Sequence, residues 1–381
     1  MGVNYSISKE VREVIYADNA ATTRLDIESF EAMKPFLLDD YSNPSQPYTF
    51  SRKAKKALVE ARKTIADCIG ADPEEIFFTS CGTESDNWAI KNGSLNGDIL
   101  TSQIEHHAIL NSCRKMESEG KKVGYIPVNS LGIVDLEWLE KNISSSTALI
   151  SVMFANNEIG TIQPVKEIAN IVHKHGCIFH TDAVQAVGHI DINVKEMGID
   201  MLSASAHKFN GPKGIGFLYV KKGLSISSFI DGGSQENGLR AGTENVASIV
   251  GMATALRNNI DNISENTEKI EKMSQKLIDG LIANKLDFIR NGATERAPGN
   301  ISLSFNNFSG EMILHRLDLM GICVSTGSAC DGNSNAVSHV LEAIKLDKKY
   351  AEGTIRISLG KDNSEEDIEK IISGISKIVH R

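Results

Sequence analysis

Five apolar runs in this 381-residue chain end in side chains that can exchange protons, form a covalent bond or grip an anion. ALISVMFA runs into Asn156-Asn157-Glu158, and CIFHTDA ends around Asp182, with Gln185 three residues further on. DMLSASA leads to His207-Lys208 ahead of the glycine-rich FNGPKGIG, EIFFTS leads to Cys81-Gly82-Thr83-Glu84-Ser85, and DILTSQIE leads to His106-His107. Singly, each has a plain explanation: Lys208 as a solvated loop residue, Asp182 as a helix N-cap, CGTES as a capping turn, the two histidines as packing. Taken together they supply an amine, a carboxylate, an imidazole, hydroxyls and a small-residue turn. Pyridoxal 5'-phosphate asks for nearly this set: a Lys for its Schiff base, an acid against its ring nitrogen, a stacking ring, and N–H and hydroxyl donors at a helix N-terminus for its phosphate.

Such residues must be delivered by strands that share a direction, because ligands of an open parallel sheet gather beyond the carboxyl ends. Strands are expected at 99–102, 123–128, 148–155, 178–183, 201–206 and 214–220. Several are apolar throughout rather than alternating, the pattern of strands buried on both faces. Helical periodicity separates them, as at 52–69, where Ala54, Ala57, Leu58, Ala61, Ile65 and Ile69 share a face, and at 164–175, which opens on Pro164. The region from 246 to 286 reads as one long amphipathic helical pattern leading into a second unit, where strands at 300–305 and 354–359 mix with helices up to 364–379. The expected architecture is α/β: a large domain over 14–250 with a mostly parallel central sheet, and a smaller α+β domain over 251–381.

Composition narrows the function. Forty basic against 49 acidic side chains give a net charge of −9, with no basic block able to coat a phosphate backbone, so direct nucleic-acid binding is not expected. No stretch approaches the roughly 20 apolar residues of a membrane span, and the N-terminus lacks the apolar core of a secretion signal. A cytoplasmic protein is expected. The six cysteines, Cys68, Cys81, Cys113, Cys177, Cys323 and Cys330, show no CxxC pair and no zinc-finger spacing. They read as free thiols, and no metal site is expected.

Ten motifs in order carry a resemblance that extends from about 14 to 375: DNAATT at 18–23, NPS at 43–45, FFTSCGTESDN at 77–87, EHHAIL at 105–110, NNEIGTIQP at 156–164, HTDAVQAVG at 180–188, SASAHKFNGPKGIG at 203–216, GGSQENGLRAGTEN at 232–245, STGSAC at 325–330 and IRISLG at 355–360. They resemble the cysteine desulfurases, pyridoxal-phosphate enzymes of the class V aminotransferase group with the type I fold. The resemblance implies that Lys208 carries the cofactor and abstracts the substrate's Cα proton. It also implies that Asp182 pairs with the ring nitrogen, that His106 stacks on the ring and shares in proton transfer, and that Gln185 bonds the ring's phenolate oxygen. Gly82, Thr83, Ser205 and His207 would hold the phosphate, with Thr243 reaching across from a second subunit of a homodimer. Asn157, itself also against the cofactor, and Arg356 would receive the substrate carboxylate. Cys330 would be the nucleophile that takes sulfur from L-cysteine, leaving L-alanine and an enzyme persulfide.

The spacing from Cys330 to His339 resembles that of the subgroup with a long catalytic loop, which serves iron–sulfur scaffolds or tRNA thiolation. One departure is NPSQPYTFS, where Gln46 and Pro47 replace the Ser and nearby His of many relatives, so contacts at the substrate entrance are expected to differ. Four other readings stay open: a selenocysteine lyase, a class V aminotransferase to which Cys330 is dispensable, a cysteine hydrolase pairing Cys330 with a histidine, and a non-catalytic cofactor-binding or interaction protein.

Overall fold

The computed structural model describes residues 14–326 and 337–380. Its main sheet holds seven strands in the order β2-β8-β7-β6-β5-β3-β4. They are β2 (Ile76–Thr79), β3 (Asp98–Ser102), β4 (Val123–Ile126), β5 (Thr147–Ser151), β6 (Ile178–Asp182), β7 (Met201–Ser205) and β8 (Gly216–Val220). β3 to β7 are mutually parallel, whereas β8 runs antiparallel to both β7 and β2. The reversal follows from chain length: only the stretch from Ala206 to Ile215 joins β7 to β8, too short for the crossover that a parallel strand needs.

Helices cover both faces, as a parallel sheet requires. α2 (Arg52–Ile69), α6 (Val165–Lys174) and α7 (Val246–Asp261) close one core around Ile65, Ile168, Phe179, Leu202 and Met252. α3 (Gly82–Asn96) and α4 (His107–Ser118) close the other around Trp88, Ile90, Ile99, Ile109 and Leu218. α2 buries the face expected from its spacing and stops at Gly70, whose left-handed φ of 71° favours glycine and where a Cβ would lie 2.7 Å from Asn193 Oδ1. α5 (Leu136–Asn142) lies on the connection from β4 to β5, and α1 (Ile27–Leu38) packs on α7.

A second core lies beyond α8 (Ile263–Ala283). Here β9 (Phe288–Arg290), β10 (Asn300–Phe305) and β12 (Thr354–Ser358) form an antiparallel sheet in the order β12-β10-β9, packed against α8, α9 (Gly310–Leu319) and α12 (Glu365–Val379). The N-terminal segment belongs with it: β1 (Ile15–Tyr16) pairs with β11 (Ile322–Cys323), and Ile15 and Ala17 are buried in this core. α10 (His339–Ala343) and α11 (Lys348–Ala351) complete the elements among the described residues. The single helical pattern at 246–286 proves to be two helices, broken at Asn262 (φ −112°, ψ 15°). Poor helix formers crowd the junction, and Asn259 turns its amide to the Phe209 carbonyl at 2.8 Å, tying the end of α7 to the residue after Lys208. No described helix is long and apolar enough to cross a membrane.

Candidate active site

Parallel strand direction places the ends of β6 and β7 side by side, with Asp182 in register with Ser203. Two residues beyond Ser203, Ser205 closes β7, and a single turn, Ala206–Lys208, then presents His207 and Lys208. The Lys208 ammonium donates to the carbonyls of Ala20 (2.5 Å) and Ala21 (2.9 Å), and Gln185 Nε2 donates to the same Ala20 carbonyl at 2.9 Å. His207 pairs with Thr22 Oγ1 at 3.1 Å, and burial with the neighbouring lysines pushes its pKa down to about 4. The N-terminal segment therefore forms one wall of the site.

The opposite wall is the start of α3. Cys81 occupies its N-cap without a side-chain cap bond, so N–H groups of the first turn remain available to a ligand. A Cβ on Gly82 would come within 2.5 Å of Val184 Cγ2, which sets how closely this turn approaches the strand ends. Thr83 is exposed beside it.

His106 caps α4, its Nδ1 accepting from Ala108 N–H at 3.1 Å. That bond commits the Nδ1 lone pair, so the neutral ring carries its proton on Nε2. Burial lowers the His106 pKa, opposed by Asp182. Asp182 is 5% exposed and accepts from Val184 N–H at 2.9 Å, and burial raises its pKa against the pull of His106 and Lys208. Beneath these groups lies a polar layer that spacing did not reveal. His180 bonds Ser151 and Ser203, each at 2.9 Å, with Asp86 Oδ1 3.9 Å away. Glu105 is fully buried, accepting from Ser102 Oγ (2.5 Å) and Met153 N–H (2.8 Å).

Arg356, on β12, brings the second core into the site. Its Nη1 donates to the Asn157 carbonyl at 2.9 Å and its Nη2 to Asp18 Oδ1 at 2.8 Å. Asn300 Nδ2 holds the same Asn157 carbonyl at 3.1 Å. Asp18 and Asn300 escaped the reading of spacing because each meets its partner across well over a hundred residues; the only signal was that Asp18 opens the DNAATT motif. Thr243 lies on an exposed loop, three residues after Arg240, which is tied to Glu84 at 2.9 Å.

Cys330 lies outside the described residues, but the flanks of its segment are well anchored. Ser325 exchanges two backbone hydrogen bonds with Arg356, at 3.0 and 2.7 Å. On the far side, Ser338 Oγ donates to Glu158 Oε2 at 2.5 Å and His339 Nε2 meets the Glu105 carbonyl at 3.0 Å.

The donor set fits pyridoxal phosphate. Ser205 Oγ is buried without a hydrogen-bond partner, an orphaned donor beside the uncapped helix start where a phosphate would lie. Lys208 follows on the next turn, and the buried Asp182 carboxylate feels its charge.

Residues 15–371 match the aminotransferase class-V family. The cysteine desulfurase IscS of Clostridium botulinum is 47% identical over 373 residues, which is 96% of this chain and 94% of that protein. A solved structure named as a NifS-like protein superposes with a TM-score of 0.91 at 40% identity, covering 96% of this chain and 99% of the other. A second, SspA in complex with cysteine, gives a TM-score of 0.81 at 37% identity over 92% of this chain and 100% of the other.

Proposed function

The chain belongs to the aminotransferase class-V family, and from that premise we propose that it is a pyridoxal-phosphate-dependent cysteine desulfurase that converts L-cysteine to L-alanine and leaves the sulfur as a persulfide on Cys330. The observation that carries this reading is that the ends of β6 and β7 bring Asp182 and the orphaned Ser205 hydroxyl, with Lys208 on the turn that follows, beside the uncapped start of α3. Relatives of high identity named as cysteine desulfurases support it.

When bound, the cofactor supplies an electron sink for charge developing at the substrate's Cα. Gly82, Thr83, Ser205 and His207 would hold its phosphate, with Thr243 from a second copy. Asp182, as a carboxylate, would favour the protonated ring nitrogen, and Gln185 and Asn157 would bond the ring's substituents. Arg356, with Asn157, orients the substrate through its carboxylate. Lys208 takes the Cα proton as an amine, and the neutral His106, its proton on Nε2, would stack against the bound ring and share in proton delivery. Cys330 attacks the substrate sulfur as a thiolate. The C–S electron pair stays on carbon and is protonated to give alanine, while the new S–S bond holds sulfur at the persulfide level. The persulfide then passes to an acceptor, an iron–sulfur scaffold or a tRNA-thiolation enzyme.

A homodimer is part of the reading. Thr243 is exposed, and α1 leaves apolar side chains outward: Ser29 bonds the Gly251 carbonyl on the buried side, while Ile27, Phe30, Leu37 and Leu38 stand between 45% and 69% exposed. That face suits a second copy of the chain.

The test compares wild type with Cys330→Ala. Both proteins should bind cofactor with the same near-visible absorbance, and only the wild type should release alanine and sulfide from L-cysteine with a reductant. A mutant as active as the wild type would reject Cys330 as the nucleophile and favour a transaminase or direct lyase.

A further inference from the structure

We propose that Asp18 restricts the substrate to amino acids with an uncharged side chain, acting through Arg356; the inference rests on the reading of Arg356 as the receiver of the α-carboxylate. The Arg356 side chain is 8% exposed, and Asp18 is the one acid paired with it among the described residues, at 2.8 Å. A guanidinium so enclosed and without a counter-ion would draw in any anion, including a second acid group on a substrate side chain. Paired with Asp18 it presents no surplus positive charge. An amino acid with a neutral side chain arrives with its carboxylate balanced by its own nitrogen. An acidic side chain would add a negative charge that nothing in the pair compensates.

The pair is held by backbone rather than by a loose rotamer. Asp18 pairs with Ser358, two residues beyond Arg356 on β12, and Asn19 N–H donates to the Ser358 carbonyl at 3.1 Å while Ser358 N–H donates to Ala17 at 2.8 Å. On its other edge the guanidinium is fixed by the Asn157 carbonyl, which Asn300 steadies.

The experiment measures L-alanine and L-aspartate binding to the holoenzyme by titration calorimetry, in wild type, Asp18→Asn and Asp18→Glu. Neither ligand carries sulfur, so the result does not depend on C–S cleavage. Wild type should prefer alanine; Asp18→Asn should narrow that preference about tenfold or more, and Asp18→Glu, which keeps the charge, should retain it. If Asp18→Asn fails to fold around an unpaired Arg356, the double variant Asp18→Asn/Arg356→Gln takes its place, and the preference should vanish as both ligands weaken. An alanine-to-aspartate ratio that Asp18→Asn or the double variant leaves at the wild-type value overturns the proposal, as does a wild type that prefers aspartate or binds neither, or loss of preference in Asp18→Glu. Failure of the desulfurase reading would show separately, as a wild type that binds alanine but releases no sulfide from L-cysteine.

Discussion

Glu105 is a carboxyl group placed where a carboxylate is expensive. Burial raises its pKa to about 8, and Asp182 adds to the shift, so at neutral pH the folded protein holds Glu105 largely as the acid. The sign of the consequence is set by comparison with the unfolded chain, where the group ionises near its ordinary value of 4.5. Its neutral form fits the fold, so stability is complete below the unfolded pKa and is lost as pH rises toward 8. Glu105→Gln keeps an acceptor for Ser102 and Met153 but cannot ionise. Its stability relative to wild type should therefore grow by about 3 kcal/mol between pH 5 and pH 8, measured by urea unfolding at each pH. The buried His180, with its pKa lowered to about 3, titrates in the opposite sense but is common to both proteins and drops out of the comparison. A pH-independent difference would mean that Glu105 is ionised in the fold.

Among the elements, the loop that carries Thr243 is the most firmly clamped. Glu236 and Asn237 both take left-handed backbone (φ 46° and 58°), a conformation that costs energy in non-glycine residues and persists only where surroundings enforce it. The enforcement is visible: Arg62 grips the Glu236 carboxylate with both Nη atoms, at 2.8 and 2.6 Å, Phe78 N–H adds a third bond at 2.9 Å, and the guanidinium stacks 4.2 Å over the Phe78 ring. Glu236→Ala should cost about 2–4 kcal/mol in urea unfolding, somewhat less than for a fully buried pair because Arg62 is partly exposed. The variant should also release cofactor faster; unchanged stability would mean that the clamp is ornamental. Elements of this kind mark the limit of what linear sequence discloses. Lys208 and Asp182 could be named because each closes an apolar run, and a parallel sheet leaves few other places for a polar group to gather; Ser205, inside its run, came only from the resemblance. Asp18, Asn300 and the Arg62–Glu236 grip could not be, because residues distant in the chain meet only once the sheets have packed. The break at Asn262 was hidden because apolar spacing continues through it, and the reversal of β8 lay in the length of a connection rather than in any residue type.

At the scale of the whole molecule, α1 meets α7 through Ser29 and Met33 yet leaves Ile27, Phe30, Leu37 and Leu38 exposed. A double substitution of Phe30 and Leu37 by Glu leaves the α1–α7 contact in place and should give a monomer in sedimentation velocity, with cofactor lost on dilution because no neighbour supplies Thr243. A variant that stays dimeric would move the interface elsewhere. The two backbone bonds between Ser325 and Arg356 carry one more consequence: a force applied to the chain at Thr326 is felt directly at the guanidinium, so that end of the segment and the grip on a carboxylate behave as one lever.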